Sequence, residues 1–320
     1  MICLRRTSRL ARPTSLLRAV ARPAQPSSRS IDNTSDDRDP KSFLWLRKHN
    51  YRDNLRALEV ARFRRPATRD SQYLEIGCGP GNFTAEALLP KLRPCRRLVA
   101  TDKSDMMVNY ASKYFQRPNV VYDIFDADCR SGDPDGARRI VDAYGLFDRV
   151  YSFMAFHYVR DLTQAYRNVF SCLKKGGECL TVCFAGAAVT DVWYRLYNTR
   201  QWQPFLRNPR LLLSDRFCYS EPIPGTVKKG ELQEITAAGM ELVSWRMYDS
   251  LWTMPDLDSW LECYVPFFGL EDRVPKEKLG AFRADLRSLL LESSTATPVG
   301  VGLRHSVIVV QTQKPSRRWH

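Results

Sequence analysis

With 320 residues and 44% hydrophobic residues, the chain is long enough for one large domain or two small ones, and no run of about 18 apolar residues predicts a membrane-spanning helix. Its nine cysteines are odd in number, irregularly spaced and without a C-x-x-C pair, which argues against a disulfide framework and a structural zinc site. The formal charge of +14 does not predict a nucleic-acid partner, because half of it comes from seven arginines in residues 1–31 and the rest is spread along the chain.

Residues 1–31 are rich in arginine and serine and contain no acidic residue. Apolar residues between Leu10 and Val20 would form one side of a short amphipathic helix. This composition is typical of a mitochondrial targeting peptide, and we predict a mitochondrial location. The alternative is a disordered basic tail on a cytoplasmic protein. Residues 32–40 are interpreted as a polar linker, and residues 41–320 as a single domain.

The stretch Tyr73–Thr84, YLEIGCGPGNFT, combines a short apolar strand with three alternating glycines, Gly77, Gly79 and Gly81. The residues that follow predict a helix ending near Pro90. A strand, a glycine turn and a helix form the first half of a Rossmann-like unit, in which the backbone and the helix N–H groups approach a nucleotide. The glycine spacing is G-x-G-x-G and not the dinucleotide fingerprint G-x-G-x-x-G, so the glycines alone leave the nucleotide open.

Further strands and helices follow in alternation, which predicts a mostly parallel, doubly wound sheet. The second strand, RRLVATD, ends in Asp102, where an acid can accept hydrogen bonds from both ribose hydroxyls. The third, NVVYDIFDAD, leads to Asp126 and Asp128, near which an adenine amino group could bind. The fourth is LFDRVYSFMAFHYV and the fifth GGECLTVCFA. The predicted helices between them are Asp105–Phe115, Asp133–Tyr144 and Thr163–Leu173.

Two strands close the pattern. We predict that Ser306–Gln313 is antiparallel and inserted in the sheet, and that residues 240–252 form the neighbouring strand. Helical insertions at about 186–225 and 253–300 are rich in aromatic residues. These either form an apolar lid over the nucleotide, which would suit a small apolar substrate, or pack extra helices onto the sheet. The expected fold is therefore α/β: a Rossmann-like, doubly wound, seven-stranded sheet, mostly parallel with one antiparallel strand near the C-terminus, plus helical lid insertions.

Over roughly residues 70–250 the order and spacing of these motifs resemble the class I S-adenosylmethionine-dependent methyltransferases. LEIGCGPG resembles the first motif of that family, and the strand ending in Asp102, DAD at 126–128 and FDRVYSF follow in the expected order. The resemblance implies S-adenosylmethionine as the cofactor. The residues that it assigns to the cofactor are Glu75, bracing the loop, Gly77, Gly79 and Gly81 at the methionine end, Asp102 at the ribose, Lys103, Asp126 and Ala127 at the adenine, and Ser152 near the methionine portion.

Residues 152–185, SFMAFHYVRDLTQAYRNVFSCLKKGGECLTVCFA, are similar to the corresponding stretch of arthropod juvenile hormone acid O-methyltransferases, and a looser likeness runs from about Arg47 to the end. Tyr158 stands where that family has a tryptophan. The family's N-terminal glutamine, which helps to hold the substrate carboxylate, is missing, and Arg52 or Asn54 falls nearest to it. The resemblance implies methylation of a small, apolar carboxylic acid.

The alternatives are another small molecule, such as a phenol or a quinone precursor, or a mitochondrial macromolecule. The residues after the fourth strand, SFMA, lack the Asn/Asp-Pro-Pro-aromatic motif that is common in enzymes that methylate RNA or amines, which favours a small-molecule acceptor.

A carboxylate is ionised near pH 7 and needs no general base, whereas a phenol or an alcohol would benefit from one. It must be held about 3 Å from the methyl carbon and away from water. A neutral hydroxyl donor suits this task better than a bidentate arginine, because a tightly held carboxylate is a poorer nucleophile. His157 and Tyr158 are the candidate catalytic residues, although His157 at a strand end could equally be a packed residue. Arg52, Tyr158 and Trp202 are the candidate substrate contacts.

Overall fold

The computed structural model describes residues 39–45, 47–128, 135–213 and 222–316. Every described residue belongs to one compact unit. The predicted targeting segment, residues 1–31, lies outside the described residues, as does most of the predicted linker at 32–40. Within the described ranges, no helix combines the length and the apolar character that crossing a membrane requires.

The described residues form one eight-stranded sheet. The strands are β1 (Gln72–Ile76), β2 (Arg97–Asp102), β3 (Val120–Ile124), β4 (Phe147–Phe153), β5 (Leu173–Ala187), β6 (Glu241–Met254), β7 (Ser294–Thr297) and β8 (Gly300–Gln313). Their order is β3–β2–β1–β4–β5–β8–β6, with β7 pairing with β8. Strands β1 to β5 pair in parallel, and β8 runs antiparallel between β5 and β6. The predicted mostly parallel, Rossmann-like sheet with an inserted antiparallel strand is confirmed.

Two helices precede the first strand, and the others alternate with the parallel strands or follow the last of them. They are α1 (Pro40–Trp45), α2 (Arg47–Val60), a π-helical turn (Thr84–Leu88) that continues into α3 (Leu89–Leu92), α4 (Asp105–Tyr114), α5 (Gly136–Tyr144), α6 (Leu162–Cys172), α7 (Ala188–Tyr197), α8 (Pro209–Leu212), α9 (Pro224–Ala237), α10 (Leu257–Phe268) and α11 (Leu279–Glu292). Side-chain caps begin two of the helices between the parallel strands: Ser104 accepts from the N–H of Met107 before α4, and Asp161 accepts from that of Gln164 before α6.

The structure differs from the sequence prediction in where β4 ends. The prediction continued this strand through Val159, but β4 stops at Phe153 because Met154 adopts a positive φ of 52°. The chain then forms a 3₁₀ turn at Phe156–Tyr158. The end of β4 therefore turns out of the sheet and brings the two predicted catalytic residues to its edge.

The sheet also has one strand more than the predicted seven. Strand β8 begins at Gly300, and its first residues pair with β7. From His305 onward, which pairs with Ala187, the same side of β8 pairs with β5. Since β5 ends at Ala187, the short β7 continues the sheet beyond this point. The local residues Ser294–Thr297 alone carry no strong strand pattern, and their pairing depends on the length of β8.

Alternating side chains of the central strands pack on both faces of the sheet, as expected for buried parallel strands. One face packs against α5, α6 and α9, and the other against α2, the π-helical turn and α3. A separate hydrophobic cluster forms among α7, α10 and α11 and includes Trp193, Trp260 and Phe282. These layers leave the carboxyl-terminal edge of the sheet for the loops that follow β1 to β4.

Candidate active site

A cavity that is open to solvent lies at the carboxyl-terminal edge of the parallel strands. Residues at the ends of five strands and in the loops after them line it: 75–80 and 82–83 for β1, 102–104 for β2, 125–128 for β3, 153–159 for β4, and Phe184 and Ala187 for β5. Residues of α1, α2, α7, β6 and α10 complete its walls. Ligands of open α/β sheets bind at this edge, where neighbouring loops diverge.

The glycine loop is pinned to β2 and packed against the loop after β4. The N–H groups of Gly77 and Cys78 both donate to the carbonyl oxygen of Thr101, at 2.7 and 2.9 Å. Gly77 has a φ of 79°, and a Cβ placed there would lie 2.2 Å from the Cβ of Ala155. Gly79 has a φ of 55°, but its Cβ would meet no heavy atom of the described protein within 4 Å. Gly79 therefore provides open space beside the cavity, where a ligand can approach the backbone.

Asp102 is held at the end of β2 by backbone donors. The N–H of Gly79 donates to its Oδ2 at 2.9 Å, and the N–H of Ser104 donates to its Oδ1 at 3.0 Å. These two bonds fix the orientation of the carboxylate. Since Asp102 lines the cavity, its carboxylate is oriented to accept hydrogen bonds from a diol such as a ribose.

Glu75 presents a second carboxyl group at the cavity. Its side chain is buried, and its Oε2 accepts a hydrogen bond of 2.7 Å from the hydroxyl of Thr84. Burial raises the pKa of Glu75 to about 7, and the nearby negative charge of Asp102 contributes to this increase, while the bond from Thr84 opposes it. A cationic ligand in the cavity would favour the ionised form of Glu75. The loop therefore fits a ligand that carries both a diol and a positive charge, as S-adenosylmethionine does.

The loop after β3 is fixed by α6 and by its own carboxylates. The N–H of Asp128 donates to Oδ1 of Asp126 at 2.9 Å, and the side-chain amide of Asn168 donates to the carbonyl oxygen of Ala127 at 2.8 Å. The carboxylate of Asp128 in turn accepts from the N–H of Asp161 at 3.0 Å. Asp126, Ala127 and Asp128 all line the cavity, as does Lys103 after β2.

His157 and Tyr158 line the cavity on the 3₁₀ turn after β4. Their ring centroids lie 4.2 Å apart, and the ring of His157 lies 4.9 Å from that of Phe184. His157 is 3% exposed and Tyr158 is half-buried. Tyr158 therefore presents a hydroxyl near an aromatic wall, and His157 supports that wall from a buried position.

Two residues assigned to the cofactor from the sequence lie outside the lining. A Cβ at Gly81, with a φ of 83°, would lie 2.6 Å from the Cβ of Ala111, so this glycine permits close packing on α4. Ser152 is fully buried and donates to the carbonyl oxygen of Ile76 at 2.9 Å. Gly81 therefore lets the glycine loop pack closely on α4, and Ser152 fixes the end of β1 from which the loop begins.

The structure places Arg52 and Trp202, two of the predicted substrate contacts, outside the lining as well. The guanidinium of Arg52 is half exposed and donates to Oγ of Ser250 at 2.6 Å, because the helical phase of α2 turns this residue away from the cavity. Trp202 is 1% exposed, and its indole N–H donates to Oδ2 of Asp285 at 2.9 Å. Trp202 therefore packs among the C-terminal helices and does not contact the cavity.

The lining residues that sequence reasoning did not assign include Asn54 of α2, Met154 after β4, Phe184 of β5 and Trp252 of β6. Asn54 falls near the position of the family's N-terminal glutamine, and Trp252 is the last residue of the predicted strand at 240–252. The predicted fifth strand, residues 176–185, includes Phe184, but no local pattern says which strand ends border one cavity.

Residues 74–179 match a family model described as a methyltransferase domain. This domain implies S-adenosylmethionine as the cofactor, in agreement with the fit of Asp102 and Glu75.

The chain is 33% identical over 147 residues to the juvenile hormone acid O-methyltransferase of Drosophila melanogaster, an alignment that covers 45% of this chain and 47% of that protein. It is 30% identical over 137 residues to the enzyme of the same name from Bombyx mori, covering 43% of this chain and 46% of that protein. The chain thus spans about half the length of the curated relatives it matches.

The solved structures to which the chain is similar have lower sequence identity. The YcgJ protein of Bacillus subtilis is 17% identical with a TM-score of 0.49, covering 84% of this chain and 99% of that one. A SAM-dependent methyltransferase from Anabaena variabilis is 13% identical with a TM-score of 0.48, covering 86% of this chain and 94% of that one.

Proposed function

We propose that this chain, through the methyltransferase domain at residues 74–179, transfers a methyl group from S-adenosylmethionine to a small, apolar carboxylic acid. The observation that carries the proposal is a single cavity with two chemically different parts. Asp102, Glu75 and the glycine loop line one part, and aromatic side chains, among them Phe184, Trp252 and Phe268, line the other.

S-adenosylmethionine, when bound, supplies an electrophilic methyl group on a sulfonium. Asp102 would hold its ribose, and the space beside Gly79 would admit its methionine portion. Ala127 and Asp126 border the region in which the adenine would lie, next to Lys103. The ionised carboxylate of Glu75 would stabilise positive charge in the cavity.

The acceptor part of the cavity favours a carboxylate held by neutral groups. No arginine is among the described residues that line it, whereas Tyr158, Asn54 and Trp252 can offer uncharged hydrogen-bond donors. Such donors orient a carboxylate without neutralising its charge, so it remains a competent nucleophile. An apolar acceptor packed against the aromatic wall would exclude water from the reacting atoms.

A phenolic acceptor is the second candidate, and the position of His157 favours it. This imidazole lines the cavity beside Tyr158, where it could accept the proton that a phenol must lose. A carboxylic acid has already lost its proton near neutral pH and makes no such demand. The two candidates therefore differ in their dependence on His157.

The test is a transfer assay with trideuteromethyl-labelled S-adenosylmethionine and the full chain. The acceptor panel contains farnesoic acid, decanoic acid, a phenol and a primary amine, and mass spectrometry identifies the labelled products. We expect a labelled methyl ester of at least one apolar acid. Farnesoic acid should react weakly, because Tyr158 replaces the family's tryptophan and displaces its donor. Label in the phenol or amine alone would contradict the acid acceptor, and rapid turnover of farnesoic acid would contradict the role given to Tyr158.

A further inference from the structure

Helix α2 forms one wall of the cavity through Asn50, Tyr51 and Asn54, and two separate sets of contacts hold this helix in place. The first set lies on the glycine-loop side. The hydroxyl of Tyr51 donates to Oε2 of Glu86 at 3.0 Å, and its ring meets that of Phe83 edge-on at 5.1 Å. Both partners belong to the segment that follows the glycine loop. This set fixes α2 next to the proposed cofactor region.

The second set is a buried pair between α2 and the antiparallel part of the sheet. Nε2 of His305 on β8 lies 2.8 Å from Oδ2 of Asp53, and both side chains are 1% exposed. Ser250 of β6 donates to the other carboxylate oxygen of Asp53, at 2.8 Å. Burial tends to raise the pKa of Asp53, but the hydrogen bond and charge of His305, the hydrogen bond from Ser250 and the charge of Arg52 together outweigh it, and the pKa lies below its usual value.

This pair lies directly behind the aromatic wall of the cavity. The ring of His305 is 4.9 Å from the ring of Trp252 and 5.4 Å from that of Phe184, and both of these rings line the cavity. Asp53 itself is followed on α2 by Asn54, which also lines it. The buried pair therefore borders three lining residues on three elements. His305 contacts Trp252 of β6 and Phe184 of β5, and Asp53 precedes Asn54 on α2.

A buried ionisable pair is an expensive way to hold elements together, since apolar residues of similar volume often serve as well or better. What such a pair adds is a fixed geometry. Next to it, Oδ1 of Asn54 and Nε1 of Trp252 are buried and have no hydrogen-bond partner among the described residues. A buried polar atom without a partner costs about 1–3 kcal/mol. The carboxylate of an acid only accepts hydrogen bonds, so it could satisfy the indole N–H of Trp252 but not Oδ1 of Asn54.

We propose that Asp53 and His305 are positioning residues of the acceptor site: their pairing locks α2 to β6 and β8 and so keeps Asn54 and Trp252 in register with the acceptor. This inference rests on the proposed function and extends it to residues that do not touch the substrate. Because the Tyr51 contacts hold the cofactor side of α2 independently, loss of the pair weakens acceptor binding far more than cofactor binding.

The test compares two ligands across four full-length proteins. S-adenosylhomocysteine is measured by calorimetry, and cis-parinaric acid, a fluorescent apolar carboxylic acid, by fluorescence with S-adenosylhomocysteine present. In the double variant Asp53→Asn/His305→Gln, the Kd of the acid should rise roughly tenfold, the effect of one lost buried hydrogen bond of about 1.4 kcal/mol, and the Kd of S-adenosylhomocysteine should change less than about twofold. Tyr51→Phe should show the opposite preference.

The matched control is Glu271→Gln, which breaks the ion pair with Arg283 on α11, away from the cavity, and should leave both constants unchanged. An unchanged Kd for the acid in the double variant would overturn the inference. Equal losses for both ligands would also overturn it, because they would indicate a general structural role. If the double variant does not melt cooperatively, Asp53→Asn alone, which keeps the shape of the side chain, replaces it under the same criteria.

Hydrogen exchange separates failure of this inference from failure of the proposed function. If the unmodified protein does not bind the acid at all, the acid acceptor is wrong, and the anchoring of α2 is judged from exchange alone. The inference then requires the amides of residues 52–60 and 250–252 to lose protection in the variant while those of 84–92 keep it. Unchanged protection of α2, or a uniform loss over all three segments, would refute it.

Discussion

Replacing Gly79 by valine should abolish cofactor binding without unfolding the protein. A side chain at this position meets no described atom within 4 Å, so the main penalty in the folded protein is the φ of 55°, about 1–2 kcal/mol for a residue with a Cβ. The same side chain would occupy the space beside the cavity in which the methionine portion is expected. We therefore expect a loss of at least about 100-fold in affinity, or about 2.7 kcal/mol.

The assay is calorimetry with S-adenosylhomocysteine, together with a thermal melt of each protein. Gly280→Val is the matched control: Gly280 lies on α11, its Cβ would also meet no described atom within 4 Å, and it does not line the cavity. Gly77→Val provides the contrast, because its Cβ would lie 2.2 Å from that of Ala155 and should destabilise the fold itself. Unchanged affinity in a folded Gly79→Val protein would refute the cofactor site.

The remaining predictions concern the acceptor, a buried acid and the N-terminus. Tyr158→Phe should lower kcat/KM for the best acid by roughly 1–3 kcal/mol equivalent with cofactor affinity nearly unchanged, and an unaltered kcat/KM would make Tyr158 a packing residue. Because the pKa of Glu75 is raised from 4.5 to about 7 in the folded protein, its protonation contributes stability that is present below pH 4.5 and is lost as the pH rises through about 7. Glu75→Gln should therefore stabilise the cofactor-free protein more at pH 8 than at pH 5, and the difference in unfolding free energy should reach up to about 3 kcal/mol. Thermal melts at the two pH values measure it, and an equal change in Tm at both would contradict the raised pKa. Residues 1–31 fused to a fluorescent reporter should direct it to mitochondria, and a diffuse cytosolic signal would leave only a basic tail.

The features that could be predicted from the sequence are those set by short-range patterns. The strand before Gly77 and the acid that ends β2 at Asp102 depend on local alternation and on a fixed number of residues between two parallel strands. The same holds for α4 and α6, whose predicted bounds differ from the observed ones by one residue at most. Parallel order then brings all the strand ends to one edge without further information.

The rest could not be predicted because it depends on contacts between distant residues. Asp53 and His305 are separated by 252 positions, and nothing near either residue indicates the other. Trp202 belongs to an aromatic stretch that would suit either a lid or a helix interface, and only the partner Asp285 decides between them. Met154 ends β4 through a positive φ that its residue type does not favour.

A crystal structure of the full chain with S-adenosylhomocysteine and an acid that proves to be a substrate tests the central claim most directly. We predict that the ribose hydroxyls bind the carboxylate of Asp102 and that the acid lies against Trp252 with its carboxylate within hydrogen-bond reach of Tyr158. A cofactor product bound elsewhere on the protein, or an acid whose carboxylate lies outside the cavity, would contradict the account.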